Sequence, residues 1–271
     1  MKNIFVVTLG VVALLLLSGQ RAFTADAKTE LQTLIAKIKT DLAAGKKTEA
    51  DLADDLKQFD TLLDEHKGEK TDDVAKILYM KATLYAQVLD DEKKADEIMA
   101  QLKTDFKDTK FVAEIEKQEA AGAAAKKIQD ALKVGAKFPD FTETDLAGKP
   151  LSVANYKGKV VLVDFWATWC GPCVGELPNV LATYKKFHPQ GFEIIGVSLD
   201  EDKDKLASFT KSKGMTWAQF FDGKGWGNKL AEKYGIQSIP ATFLLNGDGV
   251  IIGKNLRGEA LESAVADAMK K

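Results

Sequence analysis

The only two cysteines of the chain, Cys170 and Cys173, stand where an apolar strand pattern gives way to a helical one. Val160-Val161-Leu162-Val163-Asp164-Phe165 is β-branched and aromatic and nearly apolar throughout, as a strand covered on both faces should be. Beyond Trp169 the apolar residues Leu177, Val180, Leu181, Tyr184 and Phe187 recur at close to helical spacing. Cys170 therefore falls at a helix N-terminus, where unpaired backbone N–H groups and the helix dipole favour a thiolate. Cys173, one turn further in, lies on the same face, within reach to close a disulfide. The pair reads as a redox switch.

Net charge over 271 residues is −2, which gives no general attraction to nucleic acid or to acidic membranes. The two histidines, His66 and His188, are far apart, and a single CxxC without a second pair lacks the ligands of a structural zinc site. Neither a metal nor a cofactor is expected. The N-terminus reads as an export signal: Lys2 is followed by an apolar run from Ile4 to Leu17, about the length of a signal core and short for a membrane span. Ala22-Phe23-Thr24 and Ala25-Asp26-Ala27 both suit a peptidase, and an uncleaved anchor is the alternative to cleavage. Either way the rest of the chain is expected outside the cytoplasm, in the periplasm or cell envelope. There a dithiol stays reduced only while something supplies electrons.

All six prolines and all four tryptophans lie at or beyond Pro139. The preceding part carries helix-period apolar stripes: Leu31, Leu34, Ile35, Ile38, Leu42; Leu52, Leu56, Phe59, Leu63; Val74, Ile77, Leu78, Tyr85, Val88; and Ala95, Ile98, Met99, Leu102, Phe106. Gly45, Gly68 and Asp90-Asp91 break them into hairpins, and a fifth, Ala-rich helix runs from about Phe111 to Leu132. Asp72 to Lys107 resembles one tetratricopeptide-type unit through Ala82, Tyr85, Ala95 and Phe106. The helical part is thus a bundle or tetratricopeptide-like domain, acting as a spacer or lid or as a surface for a protein partner.

From Val134 the character changes. Phe138-Pro139-Asp140-Phe141 begins an extended segment, and Leu146 to Leu151 reads as a turn between two short strands. Phe192 to Leu199 is a second apolar run, so strand, helix and strand with a right-handed crossover follow. Ile239 to Leu245 and Val250 to Ile252 flank Asn246-Gly247-Asp248-Gly249 as an antiparallel hairpin, and a last amphipathic helix carries Leu261, Ala264, Val265 and Ala268. The domains are drawn as a signal peptide over 1–25, a helical domain over 26–133 and a redox domain over 134–271.

Trp169-Cys170-Gly171-Pro172-Cys173, preceded by Val163-Asp164-Phe165-Trp166 and followed by Tyr234-Gly235-Ile236-Gln237-Ser238-Ile239-Pro240, resembles the thioredoxin signature in order and spacing. Pro139-Asp140-Phe141, Gly158-Lys159-Val160, Glu176-Leu177-Pro178 and Gly196-Val197-Ser198-Leu199-Asp200 narrow the resemblance to exported thiol–disulfide oxidoreductases of the TlpA/ResA type. The resemblance covers about residues 134 to 271. It implies an α/β thioredoxin-like fold, a central mixed sheet flanked by helices, behind the all-α part.

The resemblance also implies roles. Cys170 is the nucleophile, its thiol lowered from about 8.5 toward about 7, as in thioredoxin itself, and Cys173 is the resolving thiol. Asp164 stands where thioredoxins bury a carboxylate. Burial raises its pKa and suits it to take the proton of Cys173, whereas a strand-end aspartate would reach solvent. The lysine that neighbours this carboxylate in thioredoxin is replaced here by Gly196, which leaves Asp164 less compensated. Glu176 matches a glutamate of the exported branch; it either faces the dithiol or sits on the helix surface near the dipole. Pro240 is expected cis, with Ile239 presenting its backbone to a substrate strand. Trp169 is expected on an exposed apolar rim, the alternative being the core.

The Gly-Pro dipeptide resembles that of reducing members, so a protein-disulfide reductase is expected, with disulfide-containing proteins as substrates and a membrane thiol relay as electron donor. Two alternatives remain open at this level. One is a peroxiredoxin-like thiol peroxidase; the other is a redox-regulated interaction scaffold working through the helical domain.

Overall fold

A computed structural model describes residues 26–270, so the apolar N-terminal run expected as a signal lies outside the described residues. Packing divides the chain into two compact units, Met1–Glu116 and Lys117–Lys271. Among the described residues no helix is long and apolar enough to cross a membrane.

The first unit is helical: α1 (Ala27–Ala43), α2 (Ala53–Glu65), α3 (Asp72–Gln87), α4 (Glu92–Asp105) and the start of α5 (Lys110–Ala131). The breaks fall where the backbone turns left-handed, at Gly45, Gly68 and Asp90. The next residues start helices by capping: Thr71 accepts from the Val74 N–H and Asp91 from the Lys94 N–H. Each stripe then buries its apolar face. Leu31, Leu34 and Ile38 of α1 meet Phe59 and Leu62 of α2 and Ile77, Leu78 and Tyr85 of α3 in one core. The four residues that mark the tetratricopeptide-type pair, Ala82, Tyr85, Ala95 and Phe106, are all buried.

Among the described residues of this unit, two titratable side chains are buried, and both are paired. Asp55 accepts a hydrogen bond from Lys37. His66, at the end of α2, meets Glu30 of α1 through Nε2 at 2.7 Å and Glu69 through Nδ1 at 3.2 Å. The hydrogen bond to Glu30 is the main reason that the His66 pKa lies above its ordinary value.

The second unit is built on a five-stranded sheet of order β5-β4-β3-β6-β7, comprising β3 (Val160–Trp166), β4 (Phe192–Ser198), β5 (Ala218–Phe221), β6 (Ala241–Leu245) and β7 (Ile251–Lys254). Strands β3, β4 and β5 are parallel, while β6 runs antiparallel to β3 and β7 antiparallel to β6. Helix α6 (Gly171–Phe187) makes the crossover from β3 to β4, and α7 (Lys203–Lys213) the crossover from β4 to β5. The short α8 (Lys229–Lys233) precedes β6, and α9 (Gly258–Met269) closes the chain and packs on α6. Central β3 is buried at every residue but Asp164, which is only partly covered by area. Its alternate residues Val161, Val163 and Phe165 face a cluster in which Phe138 stacks on Tyr234 with ring centroids 4.4 Å apart. Leu162, Asp164 and Trp166 face the other way.

The segment before β3 runs along both margins of this sheet. At one margin the Phe138 N–H donates to the Gly249 carbonyl and the Ile251 N–H to the Ala136 carbonyl. The small hairpin of β1 (Glu143–Thr144) and β2 (Pro150–Leu151) follows, and at the other margin the Leu146 N–H donates to the Gln219 carbonyl of β5. The second half of α5 is held to this unit by Gln129, whose Nε2 donates to the Tyr234 carbonyl at 2.6 Å. Gly235 (φ +63°) allows that approach, because a Cβ there would stand 2.6 Å from the Ala125 carbonyl oxygen.

One row of residues crosses the sheet on the Asp164 side: Gln219 pairs with Gly196, Gly196 with Asp164, and Asp164 with Thr242. The Gln219 carboxamide lies over Gly196 and accepts from the Trp166 indole N–H at 3.0 Å. A Cβ at Gly196 would stand 2.1 Å from Gln219 Oε1. The place that holds a lysine in thioredoxin is filled from the next strand.

Two outcomes test this packing. Since folding raises the His66 pKa, its stabilising contribution is complete below about pH 6.5 and fades as pH rises through the raised value. Denaturant melts of the helical signal across that window should show the loss, and His66→Gln should flatten it. Gly196→Ala should cost about 1–3 kcal/mol, and Gln219→Ala in the same chain should recover part of it.

Candidate active site

The site forms where β3 ends and α6 begins. Cys170 is the N-cap of α6, with its Sγ accepting from the Cys173 N–H at 3.2 Å. The two cysteines are joined as a disulfide, and both are buried. Gly171 and Pro172 between them are exposed, so the surface above the pair is backbone and a small ring. Once the bond is reduced, the helix start favours the ionised form of the Cys170 thiol.

The turn that presents Cys170 is anchored from below by Asp200. This buried carboxylate accepts from the Thr168 N–H at 3.1 and 3.2 Å, from Thr168 Oγ1 at 2.5 Å and from Ser198 Oγ at 2.8 Å. Its own N–H donates back to Ser198 Oγ, and Asn228 Nδ2 donates to the Ser198 carbonyl. These charge-assisted bonds fix Thr168, two residues ahead of Cys170. Asp200 enters the sequence reading only within a longer stretch of resemblance; the alternation Ser198-x-Asp200 at a strand end is its one local sign.

Asp164 lies beneath the disulfide. It lines a cavity of about 20 Å³ together with Cys173, Glu176, Pro240, Thr242 and Arg257. Among the described residues nothing donates a hydrogen bond to its carboxylate. Burial pushes its pKa up to about 7, the Arg257 guanidinium opposes the rise, and the Glu176 carboxylate adds to it. The expected absence of a lysine on the next strand therefore has a counterpart: the compensating cation comes from the start of α9.

Glu176 is half-buried and lines the same cavity as Cys173 and Asp164. Its Oε1 accepts the Gly258 N–H at 2.6 Å and its Oε2 accepts from Asn179 Nδ2 at 3.1 Å. It thereby satisfies the first N–H of α9 and ties that helix to α6. The Ile239–Pro240 bond is cis, and Pro240 joins Cys173 at the cavity. Ile239 and Pro240 are half-buried, and Gln237 and Ser238 before them are exposed.

Trp169 is 49% exposed and so lies on the rim and outside the core. Beside it stands Trp226, 50% exposed, with ring centroids 6.2 Å apart. Read in sequence, Trp226 sits in a glycine-rich turn with no assigned purpose; only the fold brings the two indoles together. Cys173, Asp164, Glu176 and Pro240 thus meet around one cavity, while Trp169 and Ile239 stay on the outer side. Among the described residues no cluster of side chains could hold a metal ion.

Comparison with known proteins agrees with this arrangement. The Redoxin family profile matches residues 133–270, about half of the chain. The chain is 32% identical over 143 residues to the thiol-disulfide oxidoreductase ResA of Bacillus thuringiensis subsp. konkukian, covering 53% of this chain and 80% of that protein. It is 33% identical over 141 residues to ResA of Bacillus subtilis, covering 52% of this chain and 76% of that one. Among solved structures it resembles the thioredoxin domain of a thiol-disulfide oxidoreductase from Bacteroides vulgatus at 35% identity and a TM-score of 0.47, covering 50% of this chain and 97% of that one. With its cysteine pair at the first turn of α6 and its mixed sheet behind, the chain belongs to the Redoxin family as a thioredoxin-like thiol-disulfide oxidoreductase of the TlpA/ResA type.

Proposed function

We propose that the chain is an exported protein-disulfide reductase that works through the Cys170–Cys173 dithiol. The observation that carries this reading is that Cys173 and Asp164, a carboxyl that burial pushes up to about 7, line one small cavity, with Cys170 at the helix start beside it. A nucleophile and a resolving thiol are then one helical turn apart, with a proton acceptor from the preceding strand lining a cavity beside the second.

The Cys170 thiolate attacks one sulfur of a substrate disulfide. A Cys170–substrate bond forms as the substrate bond breaks, and the released substrate thiolate takes a proton from solvent. Cys173 then loses its proton to Asp164 and attacks Cys170 Sγ. The second substrate sulfur leaves as a thiolate and is protonated, so two electrons pass from the dithiol to the substrate. The cavity of about 20 Å³ between Asp164 and Cys173 has room for one water to carry the proton. The enzyme ends in its disulfide form, which an external dithiol must reduce; a membrane thiol relay is the donor we assign.

The substrates are disulfide-containing proteins. An extended segment of substrate pairs with the backbone at Ile239, beside cis Pro240, while Trp169 and Trp226 offer it an apolar rim. Glu176 acts on Asp164 through charge. Residues 134–271 form the working domain, 26–133 a helical domain with a protein partner of its own, and 1–25 the export signal. The Gly-Pro dipeptide and the curated relatives' thiol-disulfide oxidoreductase names support the reading.

Reduction of a protein disulfide should vanish in Cys170→Ser, and Cys173→Ser should accumulate a mixed disulfide visible as a mass adduct. Full turnover by Cys170→Ser would sink the proposal. The wild-type rate should rise with pH through about 7, and Asp164→Asn should slow the neutral rate roughly tenfold or more and leave only the rise that belongs to the Cys170 thiol. The same variant has a stability signature. Folding raises the Asp164 pKa, so the folded chain holds more protons between about 3.8 and 7 and loses stability as pH rises through that window. Asp164→Asn should therefore be the more stable protein at pH values above 7 and lose this advantage in acid.

A further inference from the structure

All but two of the chain's 38 basic residues are lysine, and one of the two arginines is Arg257, at the N-cap of α9. Its guanidinium is spent on the reverse side of the active site. Nη2 donates to the Pro240 carbonyl at 2.7 Å, while Nη1 donates to Thr242 Oγ1 at 3.1 Å and to the Leu256 carbonyl at 2.7 Å. Thr242 is the residue paired with Asp164 across β3 and β6. The next amide along the chain, Gly258 N–H, is the one that Glu176 accepts. Arg257 therefore touches the carbonyl of the cis proline and the cross-strand partner of the buried carboxylate at once.

We propose that Arg257 is a positioning residue of the reaction, whose guanidinium locks the backbone of the cis-proline turn and supplies the positive charge that Asp164 faces across the cavity. This deepens the reductase reading and rests on it for the role of the turn in docking. The planar fork matters, because two separate nitrogens serve the Pro240 carbonyl and the Thr242 hydroxyl, and an ammonium cannot span both in that geometry. The charge matters as well. Asp164 is faced by Cys173 and Glu176 from α6, by Arg257 from the start of α9, by the neutral Thr242 from β6 and by Gly196 under the Gln219 carboxamide from β4 and β5. Without the guanidinium, the remaining charged neighbour, Glu176, and burial both push the Asp164 proton affinity upward.

The test measures the dithiol–disulfide equilibrium of Cys170–Cys173 against a small-molecule dithiol buffer, over a pH range bracketing neutrality. The full chain is used as wild type, Arg257→Gln and Arg257→Lys, each with and without Asp164→Asn. The inflection near neutral pH should move up by about one unit in Arg257→Gln, a tenfold change in Asp164 proton affinity. It should stay near its wild-type place in Arg257→Lys, and replacing Arg257 should cause no shift wherever Asp164 is already replaced. Arg257→Lys should raise KM for a disulfide-containing peptide several-fold with kcat nearly kept. An unmoved inflection in Arg257→Gln, or a shift that persists without Asp164, overturns the proposal. Should Arg257→Gln fail to fold, Arg257→Lys decides, and a wild-type KM there overturns it. Because the equilibrium needs no protein substrate, it reads Arg257 even if reductase turnover is missing, which would count against the function and not against this side chain.

Discussion

Everything at this site depends on a carboxyl group placed where water cannot properly solvate it. Asp164 interrupts the otherwise apolar face of the central strand, and among the described residues no hydrogen bond relieves it. An isolated charge in such surroundings is unstable, so the proton stays on up to about neutral pH, and the neighbours decide how firmly. Glu176 and Arg257 act in opposite senses, and both are themselves tied to the junction of α6 and α9. The packing of those two helices therefore sets an electrostatic balance as well as closing a core.

A second constraint concerns the geometry of the cysteine turn. A helix N-terminus tunes a thiol only if the turn leading to it is fixed. Here Asp200 holds Thr168 from the end of the adjacent strand, and Asn228 holds that strand end in turn. The apolar strands place the turn, and a small buried polar network removes its remaining freedom. Both kinds of interaction are needed, because hydrophobic burial alone is not directional.

How much could be read beforehand follows the range of each interaction. The strand running into Cys170 and the helix start are carried by short stretches of local pattern, whereas the cis bond at Pro240 and the role of Asp164 come with the resemblance to thioredoxin. The helical stripes are equally local, since each helix buries one face of its own. Glu176 left two readings open because its partner, the Gly258 N–H, is 82 residues away. Trp226 carried no sign of Trp169, and the loss of a lysine on the next strand gave no sign of the cation that faces Asp164 from a helix cap. The rarity of arginine was visible in composition, but its meaning depends on the hairpin that brings Arg257 to Pro240.

The segment that hugs both margins of the sheet has a consequence for life in company. With extended substrate docking beside cis Pro240, as proposed, further open strand margins would be a hazard, since unpaired N–H and C=O groups recruit copies of the same protein. Residues 135–138 occupy one margin and the start of the small hairpin occupies the other. Among the described residues, these contacts leave fewer unpaired backbone groups at which a second copy could add a strand.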